Sequence, residues 1–154
     1  MPTLLEVTQL GHPSLKARAQ EISDACDSQI QGLIEDMLFT VSESNGVGLA
    51  APQVDVSKRL IIVSSHPSPR YPYAPFMEPV VMINPEIISQ SESLDSDWEG
   101  CLSVPGIRGL VPRSSKVKIK YLGACGQHFE QEYSGFLARV IQHEIDHLDG
   151  ISFL

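Results

Sequence analysis

Residues 143–147 read His-Glu-Ile-Asp-His. On a helix, residues four apart share a face, so both imidazoles reach a single cation. Glu144 then stands beside that cation without binding it, placed to take a proton from water activated there. Two histidines supply two donors, whereas a catalytic centre needs three and an open fourth position. The short stretch after His147 holds no Glu, so the third donor comes from earlier in the chain. Candidates are His12, His66, His128, the acidic residues and the cysteines Cys26, Cys101 and Cys125. Cys101 stands out for its setting, Trp98-Glu99-Gly100-Cys101-Leu102-Ser103-Val104-Pro105-Gly106. Flanking glycines let backbone approach a site closely, and a cation would hold the sulfur as thiolate. Cys26 and Cys125 read instead as inert core thiols.

The histidines need a helix, and the sequence supplies one from Gly135 to Leu148. Stepping 100° per residue, Phe136, Val140 and His147 fall within about 60° of His143. Leu137, Ile141, Ile145 and Leu148 fill a second apolar arc, and Arg139, Gln142 and Asp146 cluster on the remaining side. A helix apolar over so much of its girth must be largely buried. Val140 and Phe136, about one and two turns before His143, face the right way to line an apolar pocket. A second helix is expected over Asp27–Glu43, where Ile30, Leu33, Ile34, Met37, Leu38 and Val41 form one stripe. Asp27 or Ser28 is its N-cap and Asn45-Gly46 its stop.

Strands are expected at Arg59–Val63, at Val80–Asn84 (ended by Pro85) and at Lys116–Tyr121, whose alternation puts three lysines in water. Gly123–Gly126 makes a turn, and Gln127–Tyr133 returns as the partner strand. The five prolines between His66 and Pro79 exclude regular structure there, leaving a surface loop. The fold class is α+β: antiparallel or mixed sheets packed around the buried histidine helix, with an amphipathic helix nearer the N-terminus. The 154 residues form one domain, 1–154.

A formal net charge of −8 leaves no surplus of cations for the phosphate backbone, so no direct nucleic-acid site is expected. No apolar run approaches membrane-spanning length. No secretion signal is visible in Met1–Leu10, and a cytoplasmic location is expected. An odd cysteine count in that compartment argues against a disulfide framework.

Three segments resemble the signature motifs of peptide deformylases: Gly46-Val47-Gly48-Leu49-Ala50-Ala51-Pro52-Gln53, Glu99-Gly100-Cys101-Leu102-Ser103 and Gln142-His143-Glu144-Ile145-Asp146-His147. They match in order and in approximate spacing. The resemblance implies a mononuclear centre with Cys101, His143 and His147 as ligands and water in the fourth position. It implies Fe²⁺ as the native ion, with Zn²⁺, Ni²⁺ or Co²⁺ as other occupants. The reaction would remove the formyl group from the N-terminal formyl-methionine of new polypeptides, with nascent N-formylmethionyl peptides as partners and transient contact with the ribosome. Metal-bound water, deprotonated by Glu144, would attack the formyl carbon. The Leu102 backbone N–H and the Gln53 amide would stabilise the oxyanion. Val47 and Gly48 would offer strand-like hydrogen bonds to the substrate backbone. Relatives usually continue beyond the position of Leu154, and an apolar residue is common where Arg139 stands. A zinc endopeptidase would use the same histidine motif, and a silent relative would bind formylated peptides without turnover. The intact Glu144 favours an enzyme.

Overall fold

An uninterrupted apolar strand such as Leu60-Ile61-Ile62-Val63 can be stable only if both of its faces are covered. In the computed structural model, which describes residues 2–153, that is what surrounds it. β1 (Gly48–Ala50), β2 (Leu60–Val63), β3 (Val80–Gln90), β6 (Lys116–Leu122) and β7 (His128–Ser134) form an antiparallel sheet in the order β1-β2-β3-β6-β7. α1 (Ser28–Glu43) covers one face, where Ile34, Met37 and Val41 pack with Leu49, Leu60, Ile62 and Ile83. α2 (Gly135–Leu148) covers the other, where Ala138, Ile141, Ile145 and Leu148 pack with Ile61, Val63, Met82, Val117 and Ile119.

α1 begins as its sequence dictates: the Asp27 side chain accepts from Gln29 N at 2.8 Å. Asn45 adopts φ 54° just before Gly46, ending the helix in the left-handed region. Lys116 and Lys120 face solvent, and Lys116 and Lys118 pair across the strands with Glu132 and Glu130 at 3.5 and 3.3 Å. The His66–Pro79 segment is a loop, and among the described residues no helix is long and apolar enough to cross a membrane.

Three expectations are corrected. Pro85 does not end β3. Asn84 takes φ 52° and the register shifts between Ile83 and Glu86, so the proline is absorbed in a bulge and the strand continues to Gln90. The Asn84 side chain holds this kink by bonding Ile22 N and Ile22 O, each at 2.8 Å. A two-stranded ribbon, β4 (Leu94–Cys101) with β5 (Val104–Ser114), occupies a stretch in which no strand was expected. Finally, Cys26 and Cys125 are exposed rather than core residues, because each sits in a turn and not on a buried face.

Candidate metal centre

Two separate elements converge on α2. β4 ends at Cys101, where the register with β5 breaks, turning the thiol inward. β1 runs into a 3₁₀ turn, Ala51–Val54, that carries Gln53. α2 contributes His143 and His147 on one face. One donor atom from each of Cys101, His143 and His147 lies within 4.8 Å of the others, and all three residues are buried. Cys101 Sγ is 3.4 Å from His147 Nε2. A thiol and two imidazoles suit Fe²⁺, Co²⁺, Ni²⁺ or Zn²⁺. With Nε2 of His147 turned to Cys101, that nitrogen is the one available to a cation. His147 Nδ1 and Glu144 Oε1 are buried with no partner among the described residues, and the free carboxylate oxygen fits a group held at the cluster.

Glu99, two residues before Cys101, orients the first histidine. Its Oε1 accepts from His143 Nδ1 and from Arg113 NH2, both at 2.9 Å. Its Oε2 accepts from Arg113 Nε at 2.9 Å and from Arg139 NH1 at 2.7 Å. With Nδ1 so engaged, His143 is left with Nε2 for a cation, the arrangement expected behind a metal-bound imidazole. Burial opposes the Glu99 charge, but the hydrogen bonds from His143 and Arg113 win and hold its carboxyl down at about 2. Burial also opposes charge on His143, yet hydrogen bonds with Cys101 and Glu99 and the nearby Glu144 push it up to about 10. His143 must therefore give up a proton to bind a cation. Burial, reinforced by the charge of His143, lowers His147 to about 3 and leaves it neutral.

Glu144 is raised to about 7 by burial, partly offset by His143. Its carboxylate lies against β1. A side chain on Gly48 would place Cβ 2.7 Å from Glu144 Oε2 and 3.0 Å from Val140 Cγ1, so the close approach requires glycine. Gln53 is fixed at both ends of its amide: Oε1 accepts from Ala50 N at 2.9 Å, and Nε2 donates to Ser103 Oγ at 3.1 Å and faces Cys101 Sγ at 3.4 Å. Leu102 follows in the turn between β4 and β5, its side chain against Gly46.

Val47, Phe136 and Val140 line a cleft with Tyr71, Gly100, His143 and Glu144. The structure thus brings Cys101, His143 and His147 together, with Gln53 against Cys101 and with Val47, Phe136, Val140 and Glu144 along the adjoining cleft. His12, His66 and His128 lie outside the three-donor cluster. Sequence reasoning assigned no role to Glu99, Arg113, Ser103 or Tyr71. Tyr71 comes from the proline-rich loop, where its ring meets Phe136 edge-on at 5.0 Å and its hydroxyl accepts from Gly100 N at 2.7 Å. Arg139, where an apolar residue is common, is a buried partner of Glu99. The available signal was the polar stripe Arg139-Gln142-Asp146 on an otherwise apolar helix, since buried polar groups demand partners.

Residues 4–154 match the family model described as polypeptide deformylase. The chain is 51% identical over 153 residues to peptide deformylase 2 of Nostoc sp., covering 99% of this chain and 86% of that one. It is 42% identical over 147 residues to peptide deformylase 1 of Nitrosomonas europaea, covering 96% and 84%. Among solved structures it resembles the Met-Ala-Ser bound class I type b peptide deformylase of Acinetobacter baumannii, with TM-score 0.95 and 48% identity over 99% of this chain and 98% of that one. Against the peptide deformylase of Thermotoga maritima the TM-score is 0.87 at 36% identity, covering 97% and 95%.

Proposed function

The chain belongs to the polypeptide deformylase family, and on that premise we propose how its residues divide the work of removing N-formyl groups from nascent peptides. Cys101, His143 and His147 would hold one divalent ion, Fe²⁺ in the native protein, with Zn²⁺, Ni²⁺ or Co²⁺ able to take its place. When bound, the ion supplies Lewis-acid activation of water and of the formyl oxygen. The observation that carries this reading is the convergence of those three donors beside a carboxylate, Glu144, whose Oε1 has no partner among the described residues.

Glu144 serves as the general base, taking a proton at its free carboxylate oxygen and returning it to the departing amine. A carboxyl raised to about 7 suits both transfers near neutral pH. Gln53 Nε2, held in front of the Cys101 sulfur, and the Leu102 backbone N–H stabilise the negative charge that develops on the formyl oxygen. Val47 and Gly48 pair with the substrate backbone as an added strand. Phe136 and Val140 receive the methionine side chain in the cleft they line with Tyr71. The same reading places the enzyme in the cytoplasm, in transient contact with ribosomes from which its substrates emerge.

The test is hydrolysis of a formyl-Met-Ala-Ser peptide by metal-replete protein. Release of formate is expected, and Glu144→Ala should abolish turnover while metal content stays at one ion per chain. Absence of formate release, or cleavage inside unformylated peptides, would sink the assignment.

A further inference from the structure

Two thiols outside the three-donor cluster lie on neighbouring turns. Cys26, in the turn before α1, and Cys125, in the turn between β6 and β7, are 99 residues apart and both exposed. Cys26 Sγ nevertheless lies 3.8 Å from the carbonyl oxygen of Cys125. That oxygen is about 2.4 Å from its own Cα, so the Cys26 sulfur sits within about 6 Å of the Cys125 Cα.

A buried-side clamp holds the two turns at this separation. The Gln31 amide nitrogen, in the first turn of α1, donates to Ala25 O at 2.7 Å and to Ala124 O at 2.6 Å. Each of those carbonyls belongs to the residue immediately before a cysteine. Gly126, at φ 83°, closes the contact: a Cβ there would lie 3.8 Å from Ala25 Cβ and 4.0 Å from Cys26 Sγ. Both side chains are exposed and so free to change rotamer, the motion through which the sulfurs would approach the roughly 2.05 Å of a disulfide.

We propose that Cys26 and Cys125 form a reversible intramolecular disulfide when the protein meets a peroxide. One thiolate attacks hydrogen peroxide, giving a sulfenic acid and releasing hydroxide, which takes up the proton and leaves as water. The second thiolate attacks that sulfur, the S–S bond forms, and a second water leaves. In total two thiols are oxidised and one peroxide is reduced to two waters. A dithiol reductant reverses the step, as suits a cytosolic disulfide. The bond would staple the start of α1 to the far edge of the sheet and close a long loop in the unfolded chain. Cys101 is buried and lies outside this pair.

Metal-loaded full-length protein treated with one equivalent of hydrogen peroxide, alkylated and digested without reductant, tests this by mass spectrometry. A linked peptide pair containing Cys26 and Cys125 is expected, reversed by dithiothreitol, with Tm higher by about 5–15 °C in the oxidised form. Cys26→Ser and Cys125→Ser, both at exposed turn positions, should fold normally and lose the linked pair and the Tm rise together. The proposal is overturned if both thiols are recovered alkylated or as separate sulfinic acids. It is equally overturned if the linkage joins two chains or includes Cys101.

Discussion

Replacing Glu99 with Gln keeps the shape of the side chain and removes its charge. The carboxylate is 2% exposed and all four of its lone-pair sites are taken. An amide in its place has one acceptor oxygen. Whichever way it is turned, its NH₂ faces donors: Arg113 with His143, or Arg113 with Arg139. Arg113 retains Asp146 at 2.5 Å, but Arg139 is left with the carbonyls of Val111 and Asp95 and no counter-charge. Breaking a buried, hydrogen-bonded pair on one side costs about 3–5 kcal/mol. The depression of the Glu99 carboxyl from 4.5 to about 2 gives an independent figure of roughly 3 kcal/mol. Both are a large share of a domain stability of about 5–15 kcal/mol. Urea unfolding of Glu99→Gln at pH 7 should therefore show a midpoint lower by about 1–2 M. Because the carboxyl is held below its unfolded value, its contribution is complete above pH 4.5 and fades as pH falls toward about 2. The gap between parent and variant must shrink over that window. The His143 ring also loses its anionic partner, so metal affinity, read by chelator competition, should fall about 10–100-fold. A midpoint shift equivalent to under about 1 kcal/mol, or a gap independent of pH, would refute the reasoning.

Glu144→Gln should lower kcat by about 10²–10⁴-fold with metal content unchanged, checked by formate release alongside metal analysis. Gly48→Ala places a methyl 2.7 Å from Glu144 Oε2 and should reduce kcat at full metal occupancy, which kinetics on the loaded enzyme will show. Cys101→Ser removes the thiolate donor and should leave a protein that loses its ion to a mild chelator. Because His143 is held up at about 10 and binds a cation only after losing its proton, metal affinity should rise with pH from 6 to 8 by about tenfold per unit for each proton released, measurable by competition titration.

The elements legible in the sequence are those stabilised by apolar burial with a regular period. α1 and α2 fall where their stripes of Ile, Leu, Met and Val predict, and β2 and β6 where a run and an alternation predict. β4 and β5 carry no such signal: Leu94–Cys101 includes Asp95, Asp97 and Glu99, and β5 includes Pro105, Gly106 and Gly109. Leu94, Trp98 and Leu110 of this ribbon point to solvent. Apolar burial is not what docks it. Gln142 bonds both Ser114 N and Ser114 O, at 3.1 and 2.8 Å, and Arg139 bonds the carbonyls of Val111 and Asp95. The polar side of α2 therefore binds the ribbon through its backbone, which hydropathy does not register.

The same contrast divides the site. His143, Glu144 and His147 are legible because a helix brings residues four apart together by local geometry alone. Gln53 gains weight only from the company of three motifs, whereas Cys101 already stands out by its glycine-flanked setting. The carboxylate that orients His143 could not be inferred locally, because its partners lie 14, 40 and 44 residues away and meet only after the ribbon has folded over α2. Yet the two problems have one solution. Arg139 both bonds the ribbon's backbone and neutralises Glu99, so a group that docks β4 and β5 also bears on how Cys101 and His143 are placed. An apolar side chain at 139 could line the cleft, but it could not hold Asp95, Val111 and Glu99 together. In this chain one buried guanidinium, acting beside Gln142 and Arg113, couples the ribbon's placement to the three-donor cluster, and a change there should disturb both.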